Sequence, residues 1–250
     1  MIPTPRNRLL AALSGEALAH LSGLEAVPLI LREVVEGAGA PISHVYFVET
    51  GLLSVVGATR PDHRIGVGRI EIGMIGSEGM SGSAIMLGSD RAATETIVQA
   101  AGTALRLPAP DLQAAMTASP EIARLFLRFV HVFMTQTGQA AVANGRAVVS
   151  ERLARWILMW EDRLQSDEIT VSHEFLSVLL GVRRAGVTTA MHALEGRGSI
   201  RSTRTLIKIV DRKQLHVDAN GFYGIAEAEY ARLIGTAPSA ASPLPVATAA

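Results

Sequence analysis

Between Val27 and Leu107 the chain is cut into short β-branched runs by Gly, Pro and Asp, about every 8–12 residues. The runs are PLILREVV, HVYFVETG, LLSVVGATRPD, RIGVGRIEIGMIG, TETIVQAAG and TALRLP. This rhythm is that of an antiparallel barrel or sandwich, and a single β-roll accounts for this third of the chain. Helical patterns flank it. Leu9, Leu10, Leu13, Ala17 and Leu21 share one face of the N-terminal segment. The expected class is therefore α+β, with a jelly-roll-like antiparallel β-roll first and helices after it.

Ser119-Pro120-Glu121 starts a long helix: an N-cap, Pro at the first helical position and an acid in the first turn. Ile122, Phe126, Phe129, Phe133 and Ala140 follow close to heptad spacing, with Gln136 as a polar interruption. Leu125, Leu127, Val130, Val132 and Met134 add further apolar surface. A helix apolar on more than one side packs both on its own domain and on a partner. Self-association through the Ile122–Ala140 stripe is expected, against the alternative of a helix buried within a monomer.

The C-terminal third is helical again, with Leu153, Trp156, Ile157 and Trp160 on one side of a helix over 152–164. Ser172 caps a short helix over 173–180, Gly181-Val182 breaks it, and a second helix over 184–195 ends at Gly196 and Gly198. IRSTRTLIKIVD then reads as a small hairpin. Residues 236–250 carry no charge, three Pro and six Ala, the composition of a disordered tail.

Charge separates this region from the rest. The whole chain has 23 basic and 23 acidic residues, a net charge of zero that by itself argues against a polyanion binder. Window 181–213 differs. Arg183, Arg184, Arg197, Arg201, Arg204, Lys208, Arg212 and Lys213 stand there against only Glu195 and Asp211, a surplus of six positive charges. Two short helices, a break and a basic hairpin are the pattern expected of a winged helix-turn-helix that reads DNA, against the alternative of a solvated basic surface on an ordinary helical subdomain. Arg183 and Arg184 at the start of the second helix can reach guanine edges or phosphates. Thr188 and Thr189, one turn on, can meet bases or thymine methyls. Arg201 and Arg204 would grip the backbone. Val187, Met191 and Leu194 should pack on Phe175, Leu176 and Leu179.

This order of parts resembles the Crp/Fnr family of bacterial transcription regulators. FLSVLLGVRRAGVTTAMHALEGRGSI (Phe175–Ile200) is similar to the family's helix-turn-helix, and ISHVYFVETGLLSVV (Ile42–Val56) to a hairpin of its β-roll. The resemblance implies a cyclic-nucleotide-binding-like sensor over 1–118, a dimerisation helix over 119–145 and a DNA-binding domain over 146–235. It also implies that Arg184, Ala185 and Thr189 face bases, where family members commonly carry Arg, Glu and Arg. In the effector pocket, Gly82 matches the Gly of the family's ribose-binding Gly-Glu, but Ser83 replaces the Glu. Arg91 is the only cation of its loop and is followed by Ala92 rather than Ser or Thr. Binding of cyclic AMP is therefore not expected. The pocket is degenerate or altered, and either takes another anion on Arg91 or is filled by side chains such as Met86 and Leu87. The implied partners are a pseudo-palindromic operator in double-stranded DNA, a second copy of the chain, and RNA polymerase.

Other chemistries find little footing. The chain lacks Cys, which excludes disulfides, thiolate metal sites and Cys nucleophiles. His20, His44, His63, His131, His173, His192 and His216 show no metal-ligand spacing, and no nucleophile elbow or phosphate loop occurs. GVGRIEIG (Gly66–Gly73) lies between strand-like runs and reads as strand and turn. No catalytic residue, metal or cofactor is expected. No run of about 20 apolar residues suggests a membrane span. MIPTPRNRLL lacks the apolar stretch of a secretory signal, so a cytoplasmic protein is expected. Two rivals remain: a β-roll ligand-binding or scaffold protein whose helical C-terminus binds proteins, and a β-roll metalloenzyme with ligands such as His44 and His63.

Overall fold

Two short helices, α1 (Arg8–Ala11) and α2 (Gly15–Ala19), lead the computed structural model, which describes residues 5–58, 68–203 and 205–235. Buried Asn7 caps α1 by accepting from the Leu9 and Leu10 amides. Its Nδ2 donates to the carbonyls of Val48 (3.0 Å) and Gly79 (2.7 Å), which pins the helix to the sheet.

The sheet contains β1 (Glu25–Leu29), β2 (Val34–Glu36), β3 (His44–Ala58), β4 (Arg69–Ile75) and, after the single turn α3 (Ser83–Met86), β5 (Glu95–Pro108). All pairs are antiparallel, in the order β1-β5-β3-β4, with β2 also on β5. Three register shifts between β3 and β5, at Val48–Leu53, let these long strands coil rather than lie flat. Gly51, at φ +87°, and Gly102 meet there, where a Cβ on either would run into backbone. Val45, Phe47, Leu53, Val55, Val98 and Leu107 fill the interior. Both faces of β3 are buried from Gly51 to Val56, because Leu52 and Met74 belong to a second core shared with the C-terminal helices.

The helices are α4 (Ala109–Ala118), α5 (Pro120–Arg146), α6 (Val149–Leu164), α7 (His173–Leu179), α8 (Arg184–Gly196), α9 (Arg212–Asp218) and α10 (Ile225–Leu233). Strands β6 (Glu168–Thr170), β7 (Ile200–Ser202) and β8 (Leu206–Ile209) form a sheet in the order β6-β8-β7, so the expected hairpin gains a third strand. α5 starts as its sequence predicts, with the Ser119 hydroxyl accepting from the Ile122 amide. The expected seam on α5 needs correction. Ile122, Phe126, Phe129, Phe133 and Ala140 are all buried within this single chain. Phe126 lies 5.5 Å from Phe47, ring to ring. Phe133 and Phe129 sit in niches left by glycines: a Cβ at Gly73 would lie 2.7 Å from the first ring, and one at Gly79 2.5 Å from the second. Gln136, the apparent interruption, accepts from the Met74 amide (2.6 Å) and donates to its carbonyl (3.2 Å), closing the outer edge of β4. The aromatic stripe is the lid of the β-roll. α10 returns to cover α5, with the Tyr230 hydroxyl on the Glu78 carbonyl (3.0 Å) and Glu229 on His131 (2.8 Å).

Candidate nucleic-acid interface

α7 and α8 owe their angle to the turn between them. The Ser172 hydroxyl caps α7 through the Phe175 amide (3.1 Å). α7 ends at Gly181, whose φ of +61° is the left-handed conformation that suits glycine. That glycine also packs on β4, since a Cβ would meet Ile70 Cδ1 at 3.1 Å. α8 buries Val187, Ala190, Met191 and Leu194 in one core with Leu176 and Leu179, and Phe175 packs against it, as the spacing predicts.

The opposite face of α8 is open to solvent. Arg183, Arg184, Ala185 and Thr189 are exposed there, and so is His192, which the motif reading did not single out. Its signal was present in the spacing, three residues beyond Thr189 and seven beyond Ala185. Thr188 departs from expectation. It is half-buried, its hydroxyl lies 3.2 Å from His173 Nδ1 and donates to the Arg184 carbonyl (3.3 Å). Thr188 braces α8 against α7 rather than facing outward.

The surplus positive charge is sorted by partners. Arg197 pairs with buried Asp218 (2.6 Å), Arg212 with Glu161 and with Asp162 (2.8 Å), and Lys208 with Glu168 (3.2 Å). The Asp162, Glu161 and Tyr223 oxygens around Arg212 outweigh its desolvation and hold its pKa up. These cations serve the fold. Arg183, Arg184 and Arg201 are exposed and have no ion-pair partner among the described residues. With Lys213 of α9, also exposed and without an ion-pair partner among the described residues, they make up the free positive charge of this region. Arg204 lies outside the described residues, as do His63 and the 236–250 tail.

The expected effector cradle is built differently from the prediction. Gly82 takes φ +82° against Val45, Ser83 begins α3 half-buried, and Ala92 is buried. Met86 points inward and Leu87 is exposed. Arg91, expected as an anion holder, is exposed, and its guanidinium donates to the Gly39 carbonyl (2.9 Å). The ionisable group at the cradle is instead Glu36 from β2. Its carboxylate accepts from the Thr96 hydroxyl (2.8 Å) and lies beside Ser81 and Gly82. Burial pushes its pKa up, partly offset by those hydrogen bonds. The sequence hides this residue, because one Glu after Val34-Val35 looks like a solvent-facing strand position. Among the described residues no cluster of His, Asp or Glu could hold a metal ion.

Residues 151–217, which span α7, α8 and the small sheet, match the model of the Crp-like helix-turn-helix domain. No curated protein is significantly similar to the chain in sequence. Solved structures are similar in fold. A putative Crp/Fnr-family regulator from Eubacterium rectale superposes with a TM-score of 0.65 at 16% identity, covering 85% of this chain and 98% of that one. FixK2 from Bradyrhizobium japonicum gives 0.62 at 18% identity, over 78% and 96%. The c-di-GMP-responsive global regulator CLP of Xanthomonas campestris gives 0.61 at 16% identity, over 78% and 99%.

Proposed function

We propose that this chain is a DNA-binding transcription regulator of the Crp/Fnr type that acts as a homodimer on a pseudo-palindromic operator without binding cyclic AMP. The observation that carries the DNA reading is the solvent face of α8, where unpaired Arg183 and Arg184 lead an exposed row at the start of the helix. A helix of this kind enters the major groove with its first turn at the base edges, while Arg201 on β7 and Arg204 neutralise phosphates.

The dimer rests on the outer face of α5. Leu127 (44% exposed), Met134 (60% exposed) and Ala141 lie seven residues apart, with Ala123 and Val142 beside them. This stripe is one residue displaced from the inward aromatic one, and a second copy would cover it. A two-fold axis through that seam relates two α8 helices, so the operator is an inverted repeat. At the cradle a buried carboxyl, Glu36, stands beside Ser81 and Gly82, while Arg91 is exposed with its guanidinium on the Gly39 carbonyl, so neither residue offers a cyclic phosphate a buried cation. Catalysis has no part in this reading. RNA polymerase is the further partner and the cytoplasm the setting. Among the described residues no helix is long and apolar enough to cross a membrane.

Fluorescence anisotropy on promoter fragments tests the reading. Binding to the cognate fragment should exceed that to random DNA by about 1,000-fold or more. It should also drop steeply between about 50 and 200 mM salt. Added cyclic AMP should leave the Kd unchanged. Equal affinity for random DNA rejects the proposal, and sedimentation as a monomer rejects its dimeric part.

A further inference from the structure

The exposed row on α8 does not end at Thr189. Ala185, Thr189 and His192 follow one another at spacings of four and three, which keeps them on one helix face, and all three are exposed. Their chemistry is uneven. Ala185 offers a methyl group. The Thr189 hydroxyl donates to the Ala185 carbonyl (3.1 Å), so its proton is committed to its own helix. Thr188 is turned toward His173. Arg183, Arg184 and His192 are therefore the side chains of this face with donors left to give, and His192 is the one beyond the first turn.

The histidines differ in the same way. His131 is held by Glu229, His173 by Thr188, His44 by Ser43, and His216 sits edge-on to Tyr223 at 5.5 Å, while His20 is exposed at the end of α2 and takes no part in this helix. His192 makes no hydrogen bond or ion pair among the described residues, and its ring is exposed. From Arg184 to His192 the helix rises about 12 Å, or roughly three to four base-pair steps.

We infer that His192 is a second base-reading residue, which sets the sequence preference at the end of each half-site opposite to that read by Arg184. The inference rests on the DNA-binding reading above. It predicts a half-site with a guanine at one end, where Arg184 makes its paired hydrogen bonds, and methyl contacts to thymine opposite Ala185 and Thr189. At the far end it predicts a base with a major-groove acceptor facing the imidazole.

The test is selection from a randomised duplex library with the full-length chain, its His192→Ala variant and its His192→Gln variant. The wild type should enrich an inverted repeat. His192→Ala should lose at least about fivefold discrimination at one base pair per half-site, three to four steps from the guanine, and leave the others intact. His192→Gln should shift the preference at that position toward adenine, the base that an amide reads in pairs. Unchanged preferences in both variants overturn the inference. A uniform loss at every position also overturns it, because that marks a phosphate contact or a damaged helix. If the wild type enriches no repeat, the DNA-binding reading falls and this inference falls with it.

Discussion

At the scale of single residues, helical spacing revealed the faces of α8 but not the commitments of its hydroxyls. Arg184, Ala185 and Thr189 lie on the solvent face as the pattern implied, because the apolar set of Val187, Met191 and Leu194 leaves only one other face. The half-burial of Thr188 is not legible in spacing, because its partner, His173, comes from another helix. The same holds for Arg91 and Glu36, whose roles depend on Gly39 and Thr96, 52 and 60 residues away in sequence. Arg184 carries the sharpest expectation at this scale. Arg184→Ala removes an exposed, unpaired side chain, so the fold should be untouched. Specific binding should weaken by about 1–3 kcal/mol while affinity for random DNA changes far less. Parallel anisotropy titrations on cognate and random duplexes measure both. An equal loss on the two would assign Arg184 to a phosphate instead.

At the scale of elements, α5 holds the most useful discrepancy. Its limits and N-cap were legible, because Ser119-Pro120-Glu121 leaves little choice. Its orientation was not. The helix carries two apolar stripes, Ile122–Phe126–Phe129–Phe133–Ala140 and Leu127–Met134–Ala141, one residue apart, which is about 100° of helix rotation. Periodicity alone cannot say which stripe meets the β-roll. The glycines decide it, since Gly73 and Gly79 provide room for two phenyl rings on the roll. Two substitutions should therefore behave in opposite ways. Met134→Glu places a charge on the outer stripe, and should yield a folded monomer in sedimentation equilibrium. Phe133→Glu buries a charge among Phe129 and Gln136, and should destabilise the chain by about 3 kcal/mol or more. A Met134→Glu protein that remains dimeric would move the seam away from this face.

At the scale of the whole molecule, the order of β-roll, long helix and winged helix was legible in the alternation of textures, but the joint between the units was not. Strands β3 and β4 are covered on their outer face by α6, and charged groups from both sides meet there. Glu71 of β4 accepts from the Ser54 hydroxyl, and the charges of Arg155 and Arg163 on α6 favour its ionised form. Arg163 also pairs with Glu78 (2.8 Å). On the C-terminal side of this joint, Asp162 of α6 receives Arg212 of α9 and the Tyr223 hydroxyl. Burial dominates for both acids, raising Glu71 to about 7 and Asp162 to about 6 against the pull of these partners. A carboxyl whose pKa is raised on folding holds its proton longer in the native state. Native and unfolded chains then differ in bound protons between the ordinary carboxylate range and these raised values. Across that window stability falls as pH rises, and above about 7 it levels off. Glu229 works in the opposite sense. The Arg232 hydrogen bonds, with those of His131, hold it down at about 2, so any contribution it makes is lost as pH falls below the usual carboxylate range. Thermal melts from pH 5 to 8 should therefore show the wild type losing stability. Glu71→Gln keeps the shape and the Ser54 contact without the ionisation, so it should flatten the slope and gain roughly 1–3 kcal/mol at pH 8 relative to pH 5. Parallel slopes for the two proteins would mean that water reaches Glu71, and that the joint between the roll and the DNA-binding helices is looser than its packing implies.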